Sequence, residues 1–301
     1  MSRTIVNIFK YLFVTAIFGS LITVVFSALV FLYFSRDLPT IISVEDYKPS
    51  VVSSVYGANG ELVGEYSEER RYIVSMNEIP DHVKRAFIAA EDDRFFDHQG
   101  VDFQSILRAA FANFQAGRVV QGGSTITQQV AKSLLLTPEK TFLRKIREVI
   151  LAHRMERNLD KEQILFLYLN QIYLGNGAYG IEAAAKAYFR KSVKELTIAE
   201  AALLAGLPQA PSKYSPLLNA KSAKTRQTYV LRRMLEDGII SQKDHDLALE
   251  TPLKIYYAHD LNNAVAPYYL EHIRRYLLEK YGKEALYAGG LKVFTPIDVE
   301  T

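Results

Sequence analysis

Residues Tyr11 to Phe34 carry no charged side chain. As a helix this run of about 24 residues is about 36 Å long, enough to cross the ~30 Å hydrocarbon core of a bilayer. It limits the chain more than any other stretch, because a run of this length and apolarity is read as crossing a membrane. Arg3 and Lys10 precede it. Positive flanks stay on the cytoplasmic side, which puts the N-terminus inside and everything after Ser35 outside. A cleaved signal peptide is the competing reading. The run exceeds a usual signal h-region and no small-x-small cleavage site comes after it, which favours a retained signal anchor.

The net charge of +3 does not call for nucleic acid as a partner. The chain has no cysteine, which excludes disulfides, thiolate metal sites and cysteine nucleophiles. Val55-Tyr56 and Leu62-Val63 flank Asn59-Gly60, a hairpin turn signal, and Tyr72-Ile73-Val74 reads as a third strand. From Pro80 onward the pattern is helical. Val83, Phe87 and Ala90 form an apolar stripe on a helix ending near Glu91, and Ser124 is expected to cap a helix running towards Leu135. Thr137-Pro138 is expected to start the next, with Leu143, Ile146 and Ile150 facing a core. Asp160 with Gln163, and Thr197 with Glu200, have the spacing of capping boxes. Thr225–Leu235 and Ser241–Leu249 read as a helical pair bent at Gly238, Pro267–Tyr281 as a helix and Leu291–Phe294 as a strand. The expected class is mainly α with a small β annex.

Three stretches carry chemistry. The first is E-D-D-R-F-F-D-H-Q-G at Glu91 to Gly100. A carboxylate at a helix C-terminus becomes more basic, and Phe95 and Phe96 are positioned to dry it, which suits removal of a proton from a hydroxyl. A solvated helix end with Asp92 and Asp93 is the plain alternative. The second is G-G-S-T-I-T-Q-Q at Gly122 to Gln129, where glycines precede a helix start that presents N–H groups to an anion or a sugar oxygen. The third is R-K-I-R-E at Arg144 to Glu148, which puts Arg144 and Lys145 on one helical face with Glu148. That is either a surface ion pair or a cationic cradle around one carboxylate. His98 has no second histidine at ligand spacing and reads as a structural hydrogen-bonding group. Asp244-His245-Asp246 reads as a chance D-x-D, and the Thr225–Leu249 pair carries little weight as a helix-turn-helix.

Further stretches join these three. They are K-x-x-I-L-x-x-Y-L-N at Lys161 to Asn170, G-x-x-A-A-A-x-x-Y-F at Gly180 to Phe189 and L-P-Q-A-P-S at Leu207 to Ser212. From about Val55 to Leu249 the series resembles the peptidoglycan glycosyltransferases. G-G-L-K-V-F-T-P-I-D at Gly289 to Asp298 resembles the approach to a transpeptidase domain, and neither S-x-x-K nor K-T-G occurs. The whole therefore resembles the N-terminal part of a class A penicillin-binding protein.

The resemblance implies a lysozyme-like, two-lobed glycosyltransferase fold at residues 76–250. It would follow a cytoplasmic tail (1–10), a transmembrane helix (11–34) and a juxtamembrane β element (35–75), and precede a linker (251–301) to an absent transpeptidase domain. The location implied is the bacterial inner membrane, with the catalytic domain on its outer face. The substrates implied are lipid II and the growing lipid-linked glycan. Glu91 is implied as general base. Glu148, with Arg144 and Lys145, would hold the pyrophosphate; a divalent cation (Mg or Mn) at Glu148 is an optional aid, and no cofactor is obligatory. Ser124, Thr125, Gln128, Gln129, Lys132, Lys140, Arg147 and Asn170 are implied as substrate-binding, with moenomycin-type inhibitors at the donor site. Cell-wall synthesis proteins would be additional partners. Phe103, Ile106, Leu107, Phe111 and Phe114 fit a membrane-dipping segment or ordinary core packing equally. Two other functions stay open: a lysozyme-like glycan-cleaving enzyme, which needs no cationic cradle, and a non-catalytic membrane anchor that recruits cell-wall proteins.

Overall fold

The computed structural model describes residues 3–36, 38, 43–44, 47–118, 122–135, 141–257 and 266–298. The apolar run lies within one helix, α1 (Arg3–Ser35), and its described apolar side chains, Leu12, Phe18 and Phe26 among them, are exposed. Over the described residues alone, no helix reaches the length and apolarity of a membrane crossing. Within α1, side chains are described without a break only from Lys10 to Phe26.

The rest is mainly helical. α2 (Asp81–Glu91), α4 (Ile126–Leu135), α6 (Lys161–Gln171), α7 (Ile181–Phe189), α8 (Ile198–Ala205) and α10 (Ala220–Glu236) share one apolar core. The sequence of α8 is apolar almost all round, and the helix is accordingly enclosed, packed against both α2 and α10. The single turn α9 (Pro211–Tyr214) and α11 (Gln242–Glu250) also pack on α10, the latter completing the expected helical pair. α4 packs on α6 and on α5 (Phe142–Asn158). Both expected capping boxes form: Gln163 N–H donates to Asp160 at 2.8 Å, and Glu200 N–H to Thr197 at 3.3 Å. α5 starts after Thr141, whose hydroxyl accepts from Arg144 N–H. The expected start at Thr137-Pro138 lies outside the described residues. Ile150 is buried, but Leu143 is half exposed and does not face a core.

The annex departs from its sequence division. β1 (Ser53–Tyr56) and β2 (Leu62–Tyr66) form the expected antiparallel hairpin, with Gly60 at φ +79° in its turn. β1 also pairs in parallel with β5 (Lys292–Phe294). Val55, Val63 and Tyr66 then share a second apolar cluster with Leu270, Leu277 and Leu286 of α12 (Pro267–Ala288), the expected Pro267 helix continued past a break at Gly282. Residues 267–294, assigned from sequence to a linker, thus complete the sheet that begins at Ser53. The expected third strand at Tyr72-Ile73-Val74 does not form; the two residues before it, Arg70–Arg71 (β3), pair in parallel with Ala178–Tyr179 (β4).

Candidate active site

α2 ends at Glu91, and the burial of Val83, Ala86 and Phe87 fixes which face of its last turn meets the core. The Glu91 side chain is 11% exposed. One carboxylate oxygen accepts from Gln129 Nε2 at 2.8 Å, and the other lies 3.7 Å from an Arg226 guanidinium nitrogen. Burial pushes its pKa up, and Asp92 beside it adds to the rise, while the Gln129 amide and Arg226 oppose it. Phe95 is fully buried, but Phe96 is 63% exposed and does not help to dry the carboxylate.

Asp92 has a scaffolding task. It accepts from His98 Nε2 at 3.0 Å and from the Ile126 N–H at 2.9 Å. His98 Nδ1 accepts from Gly100 N–H, so the ring proton sits on Nε2. Gly100 has φ +87°, and a Cβ there would lie 2.8 Å from the Ala152 carbonyl, which accounts for the glycine after His98-Gln99.

The glycine-rich stretch corrects two expectations. Thr125, not Ser124, caps α4. Its N–H donates to Gln128 Oε1 at 3.0 Å, Gln128 N–H donates back to its hydroxyl, and that hydroxyl donates to Gly100 O at 2.6 Å. The Thr125 and Gln128 side chains are buried and held in this cap, and Thr125 also lines the cavity beside Glu91. The Ile126 N–H, first of the helix, is already given to Asp92, so it is not free for an anion.

Glu148 is buried on α5. One oxygen pairs with Arg144 and the other with Lys145 at 2.7 Å; Lys145 Nζ also donates to Ser124 Oγ at 2.9 Å. The expected cationic cradle is thus present, tied through Ser124 to the glycine-rich stretch. Each Glu148 oxygen already pairs with one side-chain cation. Among the described residues no cluster of three or more His, Asp or Glu side chains is arranged to hold a metal. Lys132 and Arg147 are exposed, and Lys140 lies outside the described residues. Asn170 is a further correction. It is fully buried, and its amide bonds both the N–H and the carbonyl of Val74 and the carbonyl of Phe166, which makes it a clasp between segments.

A cavity of about 640 Å³ opens beside Glu91. One wall carries Gly122, Gly123, Ser124, Thr125 and Gln129; the opposite wall is α10, with Arg226, Tyr229 and Arg233. The Arg226 guanidinium lies 4.5 Å from the centre of the Tyr229 ring. Asp93 bridges Arg233 at 2.6 Å and Arg108, from α3 (Phe103–Ala116), at 3.3 Å. Sequence reasoning missed this wall. The available signal was the spacing of Arg226, Tyr229 and Arg233, which share one face of an otherwise amphipathic helix.

A family description named Transglycosylase matches residues 59–235, more than half of the chain, and the match takes in Glu91, the glycine-rich stretch, Glu148 and the α10 wall. The chain belongs to the transglycosylase family. It is 46% identical over 288 residues to a penicillin-binding protein 1A of Aquifex aeolicus, covering 95% of this chain and 39% of that protein. A penicillin-binding protein 1A of Neisseria flavescens is 47% identical over 263 residues, 87% of this chain and 33% of that one. The chain therefore spans well under half the length of these relatives. The crystal structure of penicillin-binding protein 1A from Haemophilus influenzae aligns with a TM-score of 0.49 and 29% identity, over 83% of this chain and 27% of that one.

Proposed function

We propose that this transglycosylase is a peptidoglycan glycosyltransferase that polymerises lipid II into β-1,4-linked glycan and releases undecaprenyl pyrophosphate. The observation that carries the reading is a buried, base-strengthened Glu91 on the wall of a large cavity, with guanidinium groups facing it and a cation-saturated Glu148 whose Lys145 reaches the same wall through Ser124. Glu91 takes the proton from the acceptor's GlcNAc 4-hydroxyl. That oxygen attacks the anomeric carbon of the donor glycan as the bond to pyrophosphate breaks, and the configuration inverts. Charge accumulates on the leaving pyrophosphate. Arg144 and Lys145, fixed by Glu148, supply positive charge there, with Lys132 and Arg147 at its margin. A glycan hydrolase has no such leaving group to neutralise, so the cations favour transfer over cleavage.

The lipid-borne substrate fits a tethered enzyme. α1 serves as signal anchor in the bacterial inner membrane, with residues 1–10 inside and the catalytic part on the outer face; the uncharged length of Tyr11–Phe34 supports this. On α3, Phe103, Leu107, Phe111 and Phe114 are 70–87% exposed and form an apolar face suited to dip into the same bilayer. Phosphoglycolipids of the moenomycin type, which mimic the donor, bind at the Arg144–Lys145 side. Cell-wall synthesis proteins are additional partners.

The test is incubation of the detergent-solubilised chain with labelled lipid II and separation of the products on a gel. A ladder from the wild type, absent with Glu91→Gln and with moenomycin, is expected. No ladder and no moenomycin binding from the folded chain would overturn the assignment.

A further inference from the structure

We propose that Tyr168 is a positioning residue for Glu91, its buried hydroxyl a reserve hydrogen-bond donor that keeps the carboxylate ionised when Gln129 turns to substrate. This role rests on Glu91 acting as the base. Tyr168 sits on α6, 1% exposed, with its ring edge-on to Phe87 at 6.2 Å. Phe87 is one helical turn before Glu91 on the same face of α2, so Tyr168 packs beneath the turn that carries the base. Its hydroxyl is buried and makes no hydrogen bond. Other core tyrosines behave differently: Tyr188 donates to the Leu174 carbonyl at 3.0 Å, and Tyr66 donates to that of Leu270. An unmatched buried hydroxyl is less stable than a phenylalanine ring in the same space, so the oxygen is a cost without a structural return.

Of the two carboxylates beside it, Glu91 is the less engaged. The charged groups acting on Tyr168 are Glu91, Asp92 and Arg226. Arg226 can only donate. Asp92 is already engaged by His98 and the Ile126 N–H. Glu91 is held by a single close donor, the Gln129 amide, with Arg226 farther off, and Gln129 itself lines the cavity. A substrate that recruits the Gln129 amide strips Glu91 of that donor. A buried carboxylate so stripped takes up a proton and ceases to be a base. The titratable groups facing Glu91 are Arg226 from α10, Asp92 at the end of α2 and Tyr168 from α6. Of these, Tyr168 is the one whose hydroxyl is buried without any hydrogen bond.

The experiment is the pH profile of lipid II polymerisation by the full chain, wild type against Tyr168→Phe, with thermal melting of both. Removing a donor raises the pKa of the base. The acid limb of kcat is therefore expected to move to higher pH, so that the rate near pH 5.5 relative to that near pH 7.5 falls about threefold or more. Melting is expected to be unchanged or raised. A second readout needs no turnover: the Glu91 carboxyl ¹³C titration, with and without a moenomycin-type ligand in the cavity, should separate wild type from Tyr168→Phe only when the ligand is present. Superimposable profiles and titrations from an active Tyr168→Phe would overturn this role alone. An inactive wild type, or an active Glu91→Gln, would instead remove the assignment of Glu91 and this role with it.

Discussion

Glu91 and Glu148 are both largely buried glutamates at helical positions, and their surroundings treat them in opposite ways. Glu148 has a cation on each oxygen. Glu91 has one neutral amide and a guanidinium at 3.7 Å, and burial raises its pKa. A carboxylate paired on both oxygens orients its cations. An under-compensated one is poised to accept a proton from something that enters the cavity. The proposed mechanism rests on that asymmetry, more than on the identity of either residue.

Exchanging the first glutamate for its amide should have the largest effect. Glu91→Gln is expected to reduce polymerisation by about 10²–10⁴-fold, the range a lost general base commands, measured as initial rate on labelled lipid II. Its thermal midpoint should be no lower than that of the wild type. A carboxylate whose folded pKa is raised contributes stability fully below its unfolded pKa and loses it as pH rises through the folded value, so the amide removes a cost present at neutral pH. Next in size, Glu148→Gln should weaken binding of a moenomycin-type phosphoglycolipid by about tenfold or more, because Arg144 and Lys145 lose the group that aims them; fluorescence titration would show it.

A third expectation concerns pH. Only ionised Glu91 can act as a base, so the wild-type rate should fall as pH drops through a value above the usual carboxylate range. An acid limb within that range would remove the asymmetry. The smallest effect separates two neighbours. Gln128→Ala should cost about 1 kcal/mol of stability, because the Thr125 N–H loses its Gln128 side-chain acceptor while the Thr125 hydroxyl cap remains, with kcat preserved. Gln129→Ala should leave stability nearly intact and move the acid limb upward. Denaturant melts and rate profiles on both variants decide it.

Local rules were legible in the sequence. The capping boxes at Asp160 and Thr197, the Asn59-Gly60 hairpin and the end of α2 at Glu91 follow from side chains within a few residues of one another. The pairing of Arg144 and Lys145 with Glu148 is likewise set by helical spacing. Features that depend on distant contacts were not legible. Ser124 and Thr125 are equally able to cap; the fold chooses Thr125 because its hydroxyl also meets Gly100. Asn170 belongs to a recognisable motif, but only packing turns its amide to Val74. Arg226 reaches Glu91 across the sequence because α10 and α2 pack together around α8. The parallel pairing of β1 with β5 brings together Val55 and Val293, which no local pattern links.

The division of labour between the two glutamates is tested most directly by the affinity of a moenomycin-type phosphoglycolipid for folded Glu91→Gln and Glu148→Gln side by side. The account predicts near wild-type binding by Glu91→Gln, although it no longer polymerises, and clearly weakened binding by Glu148→Gln. Weak binding by Glu91→Gln with full binding by Glu148→Gln would contradict it.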